Sequence, residues 1–381
     1  MRILHILKSL EKGGAERYVI DLCREFNRRN HIVYKLIILQ PGNDFGYLTN
    51  DIPYVELDGP YIPSIRKKNN FDFSKYKQIV DDFQPDIIHT HLFRSELYSS
   101  LYVPENVAFV THGHDNMKEF LNFGLKTFAQ KSLLTNFFEK NLIVKNKYRK
   151  NKNCHFIANS KDTLAYYQKN VPSFLKRNVK LIEYGFDLNR FLNANRATEI
   201  PQGKIKLINV GRFAIYKNQQ LLIEIAKRLR EEKVDFEMNL LGVGVEMAKI
   251  QSLITDAKLE DCIFLRGNVD NVEEWLNESH IYLHSAYYEP FGLVLLEAMA
   301  SGLPCIILNG KGNSDVIQHD ENGYIFDEQN PDLFVGKIMK LKEDSVLYKR
   351  LSQNAQQFAS KFAIGPKTDE LISFYQSIIS K

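Results

Sequence analysis

Short apolar runs rich in β-branched residues alternate along this chain with longer stretches whose apolar positions recur at helical spacing. The short runs fall at 2–7 (RILHIL), 35–39 (KLIIL), 86–91 (DIIHTH), 107–112 (VAFVTH), 155–160 (HFIANS) and 179–184 (VKLIEY). Strands separated by helical segments predict a parallel sheet with crossover helices. After a polar stretch at 193–204, NANRATEIPQGK, the alternation restarts with runs at 205–210, 236–241, 262–266, 280–284 and 304–308. Two α/β domains of similar size are the economical reading, with a hinge near 186–203. The boundaries drawn from it are 1–186, 187–364 and a terminal segment at 365–381. In that segment Leu371, Ile372, Phe374, Tyr375 and Ile378 recur at helical spacing, which predicts an amphipathic helix packed on one or both domains.

Length agrees with this division, since 381 residues suffice for two or three domains that each bury a core. With 44% hydrophobic and 25% charged residues the chain has an ordinary globular composition. A net charge of +4 is small for the length and does not imply nucleic acid, while anionic small molecules or a membrane surface stay open. Cys23, Cys154, Cys262 and Cys305 lie far apart and form no C-x-x-C pair, so a reducing compartment is expected rather than a zinc or disulfide framework. Met1 leads directly into a strand pattern, and no run of 18 apolar residues occurs, which together give a cytoplasmic expectation.

In open parallel sheets ligands bind beyond the carboxyl ends of the strands, and three segments place suitable chemistry there. In LKSLEKGGAERYVIDL (7–22), Gly13 and Gly14 stand between a strand and a helix, where bare backbone N–H groups can approach a phosphate; a plain strand-to-helix turn would read the same way. In INVGRFAIYKNQQLLIEIA (208–226), Arg212 and Lys217 flank the loop that follows a strand, a pair of cations suited to a diphosphate or to surface salt bridges. In YYEPFGLVLLEAMASGLPC (287–305), Pro290 forces a loop and the helix starts near Phe291, Gly292 or Leu293. The N–H groups of Phe291, Gly292, Leu293 and Val294 then form an anion-binding helix start. Glu289 precedes it in a loop, and Glu297 lies over a turn further in, inside an otherwise apolar helix where a carboxylate needs a specific partner.

EPFGLVLLE at 289–297 resembles the E-x7-E motif of the family 4 retaining glycosyltransferases. The resemblance extends over almost the whole chain through GGAER (13–17), DIIHTH (86–91), IANS (157–160), GFDLNRF (185–191), VGR with Lys217, and ENGYIF (321–326). It implies the GT-B architecture: two Rossmann-like parallel-sheet domains facing a cleft, the first on the acceptor side, the second binding the nucleotide sugar, with the C-terminal helix returning toward the first. By the same resemblance Glu297 binds the ribose, and Glu289 contacts the donor sugar near the reacting carbon. Arg212 and Lys217 hold the diphosphate, with Gly13 and Gly14 approaching it from the first domain, and the backbone around Val269 reads the base. His112 of VTHG lies by the sugar and the attacking acceptor; His114 is an alternative two residues on, and His91 is a further acceptor-side candidate. The family commonly has Asn before the glycine of its linker motif, where this chain has Tyr184 before Gly185.

The activity so implied is transfer of a hexosyl or N-acetylhexosaminyl unit from a nucleoside diphosphate sugar to a hydroxyl, with retention. The acceptor would be a lipid-linked or growing glycan in bacterial surface polysaccharide synthesis. No D-x-D carboxylate pair occurs, so no metal is expected at the diphosphate, and no cofactor beyond the sugar nucleotide as co-substrate. GVG at 242–244 begins like a dinucleotide fingerprint, but Met247 stands at the third glycine position. Segment 116–152 carries nine Lys/Arg with Phe120, Phe123, Phe128, Phe137 and Phe138, which suits the anionic inner face of a membrane or a basic helix turning its aromatics inward. Two alternative functions share these motifs: a sugar-nucleotide 2-epimerase, which needs no acceptor, and a non-catalytic sugar-nucleotide-binding subunit.

Overall fold

The computed structural model of the protein describes residues 1–57, 59–63, 71–122, 124, 130–192, 200 and 203–379. Residues 193–199 and 201–202 of the polar linker stretch, and Phe123, Lys126 and Phe128 of the basic segment, lie outside the described residues. The chain divides into two compact units, Met1–Phe186 with Ile364–Lys381, and Asp187–Ala363.

The first unit is built on a seven-stranded sheet of β1 (Arg2–Leu7), β2 (Val33–Ile38), β3 (Tyr54–Glu56), β4 (Ile87–His91), β5 (Ala108–Gly113), β6 (Cys154–Ala158) and β7 (Val179–Leu181). The strands run parallel in the order β3-β2-β1-β4-β5-β6-β7, so the order reverses between β1 and β4. β4 and β5 are buried along their whole length, as strands covered by helices on both faces must be. Helix Ile364–Ile379 belongs to this unit. Its start is fixed by Ile364 N–H donating to Phe186 O (2.9 Å), its first two turns by the Arg29 guanidinium on Gly365 O and Asp369 (3.0 Å each), and its end by Asn153 Nδ2 donating to Ile378 O (3.0 Å). Gly185 is needed at the crossing, because a Cβ there would stand 2.9 Å from Ile364 Cα.

The second unit carries β8 (Ile205–Val210), β9 (Phe236–Leu241), β10 (Ile263–Gly267), β11 (Ile281–His284), β12 (Cys305–Leu308) and β13 (Gly323–Phe326). They form a parallel sheet in the order β10-β9-β8-β11-β12-β13, reversing between β8 and β11. Leu207, Leu240, Leu283, Ile306 and Leu308 of the sheet pack with Leu222, Leu229, Phe334 and Leu351 of the covering helices in one core. β3 and β13 are strands the apolar pattern did not predict, and both are short edge strands. The glycines of GVG do packing work: Gly242 sits at φ +127°, and a Cβ there would lie 2.9 Å from the Gly211 carbonyl carbon. They let the loop after β9 close on the loop after β8.

Candidate active site

Each sheet brings its chemistry to the carboxyl ends of the two strands where the order reverses, the place where an open α/β sheet leaves a crevice. In the second unit these are β8 and β11. Arg212 follows β8 by two residues and is exposed. Lys217 ends a short 3-10 turn, Ile215–Lys217. This loop is stitched to the one after β11 by Ser285 Oγ donating to Lys217 O (2.8 Å) and Tyr287 N–H donating to Tyr216 O (3.1 Å).

Glu289 does not hang in an open loop as the sequence suggested. Its N–H donates to Gly310 O (2.8 Å), its backbone bridges to Lys311, and only 10% of its side chain is exposed. A Cβ on Gly312 would fall 2.9 Å from Glu289 O and closer still to Pro290 O, so this glycine permits the close approach. Glu289 Oε2 lies 2.5 Å from Lys217 Nζ and 3.2 Å from His284 Nε2. Burial alone would raise the Glu289 carboxyl, but the Lys217 ammonium and the His284 ring outweigh it and hold the group down to about 2. For His284 burial dominates in the other direction, lowering the imidazole against the upward pull of Glu289. The centre therefore holds an ionised carboxylate, an ammonium and a neutral imidazole.

Gly292 caps the following helix at φ +97°, a left-handed conformation that favours glycine, and helix Leu293–Ala300 begins one residue later. Phe291 and Leu293 are buried. Within this helix only Val294 and Glu297 are half-buried, and being three apart they share one stripe. Glu297 is therefore on the helix's open side rather than in the interior its apolar neighbours suggest. Val269 is half-buried two residues past β10, the outermost strand.

In the first unit Gly13 is the N-cap of helix Gly14–Asn27 at an extended φ of −167°, and a Cβ on Gly14 would meet nothing within 4 Å. A Cβ on Gly13 would meet the Glu16 carboxylate, so an acid already sits at this helix start, where the dipole favours it. His91 ends β4 and is Cα-paired with His112 of β5, and His114 follows one residue beyond that strand. All three are buried. His91 Nδ1 lies 2.8 Å from His114 Nε2, and His114 Nδ1 is hydrogen-bonded to Tyr184 OH, which also accepts from Asn159 Nδ2 (3.0 Å). Tyr184, at the linker position where the family commonly has Asn, thus fixes His114. Both ring nitrogens of His112 are buried without a hydrogen-bond partner. His114 is committed to a network and His112 is not, which favours His112 as the ring available to a ligand. Burial lowers both, with His114 at about 3.

Sequence reading missed His5, His89 and His284. His5 is Cα-paired with His89, which extends the imidazole array from β5 through β4 to β1. The signal was present as H-x-H at 89–91 and 112–114, since alternate residues of a strand share a face. The basic segment is only partly turned outward: Phe137 is exposed, but Phe120 is buried. Lys147 is fully buried on Glu96 (2.8 Å), and Lys140 Nζ donates to Phe120 O (2.8 Å) and Asn170 O (3.0 Å). Among the described residues no helix is long and apolar enough to cross a membrane.

Two family models match, "Glycosyltransferase Family 4" over residues 12–190 and "Glycosyl transferases group 1" over 192–358. N-acetyl-alpha-D-glucosaminyl L-malate synthase of Bacillus anthracis is 26% identical over 324 residues, 80% of this chain and 77% of that one. UDP-Gal:alpha-D-GlcNAc-diphosphoundecaprenol alpha-1,3-galactosyltransferase of Escherichia coli is 24% identical over 211 residues, 53% of this chain and 54% of that one. Among solved structures, Anabaena HepE in complex with UDP and glucose superposes with a TM-score of 0.77 at 19% identity, covering 99% of this chain and all of that one.

Proposed function

The chain belongs to the family 4 glycosyltransferases, and from that premise we propose that it moves a hexosyl or N-acetylhexosaminyl unit, with retention, from a uridine diphosphate sugar to a hydroxyl acceptor. The observation that carries the reading is the Glu289–Lys217–His284 centre at the strand-order reversal, with Glu297 on the open stripe of the adjoining helix. The ammonium of Lys217 has three donors and can hold Glu289 and a phosphate oxygen together. With Arg212 and the first N–H groups of helix Leu293–Ala300, it neutralises the leaving diphosphate without a metal bridging the phosphates. Gly13 and Gly14 add backbone donors by the family pattern, Glu297 takes the ribose, Val269 the base, and Glu289 orients the sugar.

Attack comes from the same face as the departing diphosphate, whose oxygen receives the acceptor proton, so the chain's own groups orient and stabilise rather than form a covalent intermediate. His112 contacts the sugar beside the attacking hydroxyl, and His91 and His114 brace it. The acceptor class we favour is a lipid-linked or growing glycan, supported by the diphosphoundecaprenol acceptor named for the E. coli relative. The malate named for the B. anthracis relative leaves a small hydroxy acid as the competing acceptor. We place the protein in the cytoplasm at the membrane's inner face, with Phe137 and the exposed Lys131, Lys145, Arg149, Lys150 and Lys152 as the anionic-lipid contact.

The test is a thermal-shift screen against UDP, GDP, ADP and their sugars, followed by nucleotide release with acceptor present and absent. UDP stabilisation and acceptor-dependent UDP release are expected. Conversion of the sugar nucleotide alone would assign an epimerase instead, and binding without turnover on any acceptor a non-catalytic subunit. Flotation with anionic and neutral liposomes checks the lipid contact, which no binding to either would discard.

A further inference from the structure

The imidazole array of the first unit continues inward from His91 to two rings that the transfer reaction does not use, His89 and His5. His5, His89 and His91 are each fully buried, on the adjacent central strands β1 and β4, and each can turn one ring nitrogen into a common point: these atoms all lie within 4.8 Å of one another. We propose that these three histidines form a binding site for a divalent transition metal ion of the zinc type, inside the first unit and separate from the donor site.

Strand geometry makes the ligand set. His89 and His91, two apart on β4, project to one face, and His5 is Cα-paired with His89 on the neighbouring strand. Two imidazole nitrogens on a tetrahedral ion with bonds of about 2.0–2.1 Å stand about 3.3–3.4 Å apart. The separation of 2.9 Å between His5 Nδ1 and His91 Nε2, and the 4.8 Å ceiling for the group, bracket that value, so rotations of the rings suffice.

Proton placement is consistent for His89 and His91. A ligating histidine offers a lone pair from one nitrogen and needs its other N–H held. His89 Nδ1 lies 2.5 Å from Tyr375 OH, leaving Nε2, which has no partner among the described residues, for the ion. With its proton on Nδ1, His91 donates to His114 Nε2 (2.8 Å) and keeps a lone pair on Nε2. With His91 protonated on Nδ1, His5 donates from Nδ1 to His91 Nε2 in the free protein, and to offer Nδ1 to an ion it moves its proton to Nε2, which has no partner among the described residues. Binding replaces the single His5–His91 hydrogen bond by a tautomer choice, with no proton lost from the rings. A second group, His91, His112 and His114, also lies within 4.8 Å, but an ion there would occupy His112, the ring placed at the sugar in the proposed transfer. The ion would tie β1 to β4 and, through Tyr375, to the C-terminal helix.

The probe is Zn2+ added to the full chain after tag removal and chelator treatment, with metal content measured after desalting. One Zn2+ per chain is expected in wild type and in His112→Ala, and a large loss in His5→Asn and His89→Asn. Tyr375→Phe should weaken binding by about 10- to 100-fold through loss of the orienting partner. Zn2+ but not Mg2+ should raise the melting temperature of wild type, and Co2+ should give the visible absorption of a tetrahedral centre. Folded wild-type protein that retains no stoichiometric Zn2+ overturns the proposal. So does retention in both inner variants with loss in His112→Ala, which assigns the ion to the outer three rings. If the inner variants do not fold, the wild-type stoichiometry and the Tyr375→Phe affinity decide. None of these readouts depends on sugar transfer, so the site and the proposed activity fail separately.

Discussion

Glu289→Gln keeps the shape of the side chain and removes the charge on which the donor centre is organised. The carboxyl is held from 4.5 down to about 2, and a shift of that size corresponds to about 3 kcal/mol favouring the ionised form in the fold. Removing one partner of a buried ion pair costs about 3–5 kcal/mol, because the other charge is left uncompensated. Lys217, whose side chain is 17% exposed, keeps some solvent, which points to the lower end of that range. A loss of about 3 kcal/mol in the second unit at pH 7 follows. Trp275, the chain's one tryptophan, lies in this unit, so its fluorescence in a urea titration follows the relevant transition.

The pH dependence has a definite sign. Glu289 has a lower pKa folded than unfolded, so its stabilisation is complete above 4.5 and is lost as pH falls through 4.5 toward 2. The gap between wild type and Glu289→Gln should stay level from pH 8 to 5, then shrink to about half at pH 3. A gap below 1 kcal/mol at pH 7, or one that widens on acidification, would refute the electrostatic account. The cycle with Lys217→Met should be strongly non-additive, since both changes dissolve one pair.

Three further outcomes are expected. Arg212→Ala and Lys217→Met should each lower kcat by on the order of 10²-fold in a UDP-release assay, since each removes charge stabilisation of the leaving group; near-wild-type turnover in both would sink the diphosphate assignment. Glu96→Gln should destabilise the first unit by about 3–5 kcal/mol, because Lys147, fully buried on it at 2.8 Å, is left unpaired, and far-UV circular dichroism in urea measures this. Gly312→Ala should push the 289–292 segment away through Pro290 O and weaken UDP binding measured by calorimetry, and unchanged affinity would show that this loop does not contribute.

The parts legible from sequence and the parts that were not divide on physical grounds. Central strands of a parallel sheet are covered on both faces and read as apolar runs. β3 and β13 escaped because they are edge strands of three and four residues with little to bury. The segment 289–297 was legible because it is local, a loop and one helix whose cap needs a glycine at positive φ. The pairing of Lys217 with Glu289 spans 72 residues and exists only because the sheet reverses between β8 and β11. The histidine array likewise needed strand register, although its H-x-H spacing was in view. Apolar context showed only that Glu297 needs a partner; that it shares a half-buried stripe with Val294 cannot be seen in a run of leucines. The two carboxylates of the motif differ in burial: Glu289 is buried against Lys217, and Glu297 is half-buried on the helix stripe it shares with Val294. A donor diphosphate held by Lys217 must share the ammonium with Glu289. Glu297→Gln should then weaken UDP-sugar binding while losing less stability in urea than Glu289→Gln does.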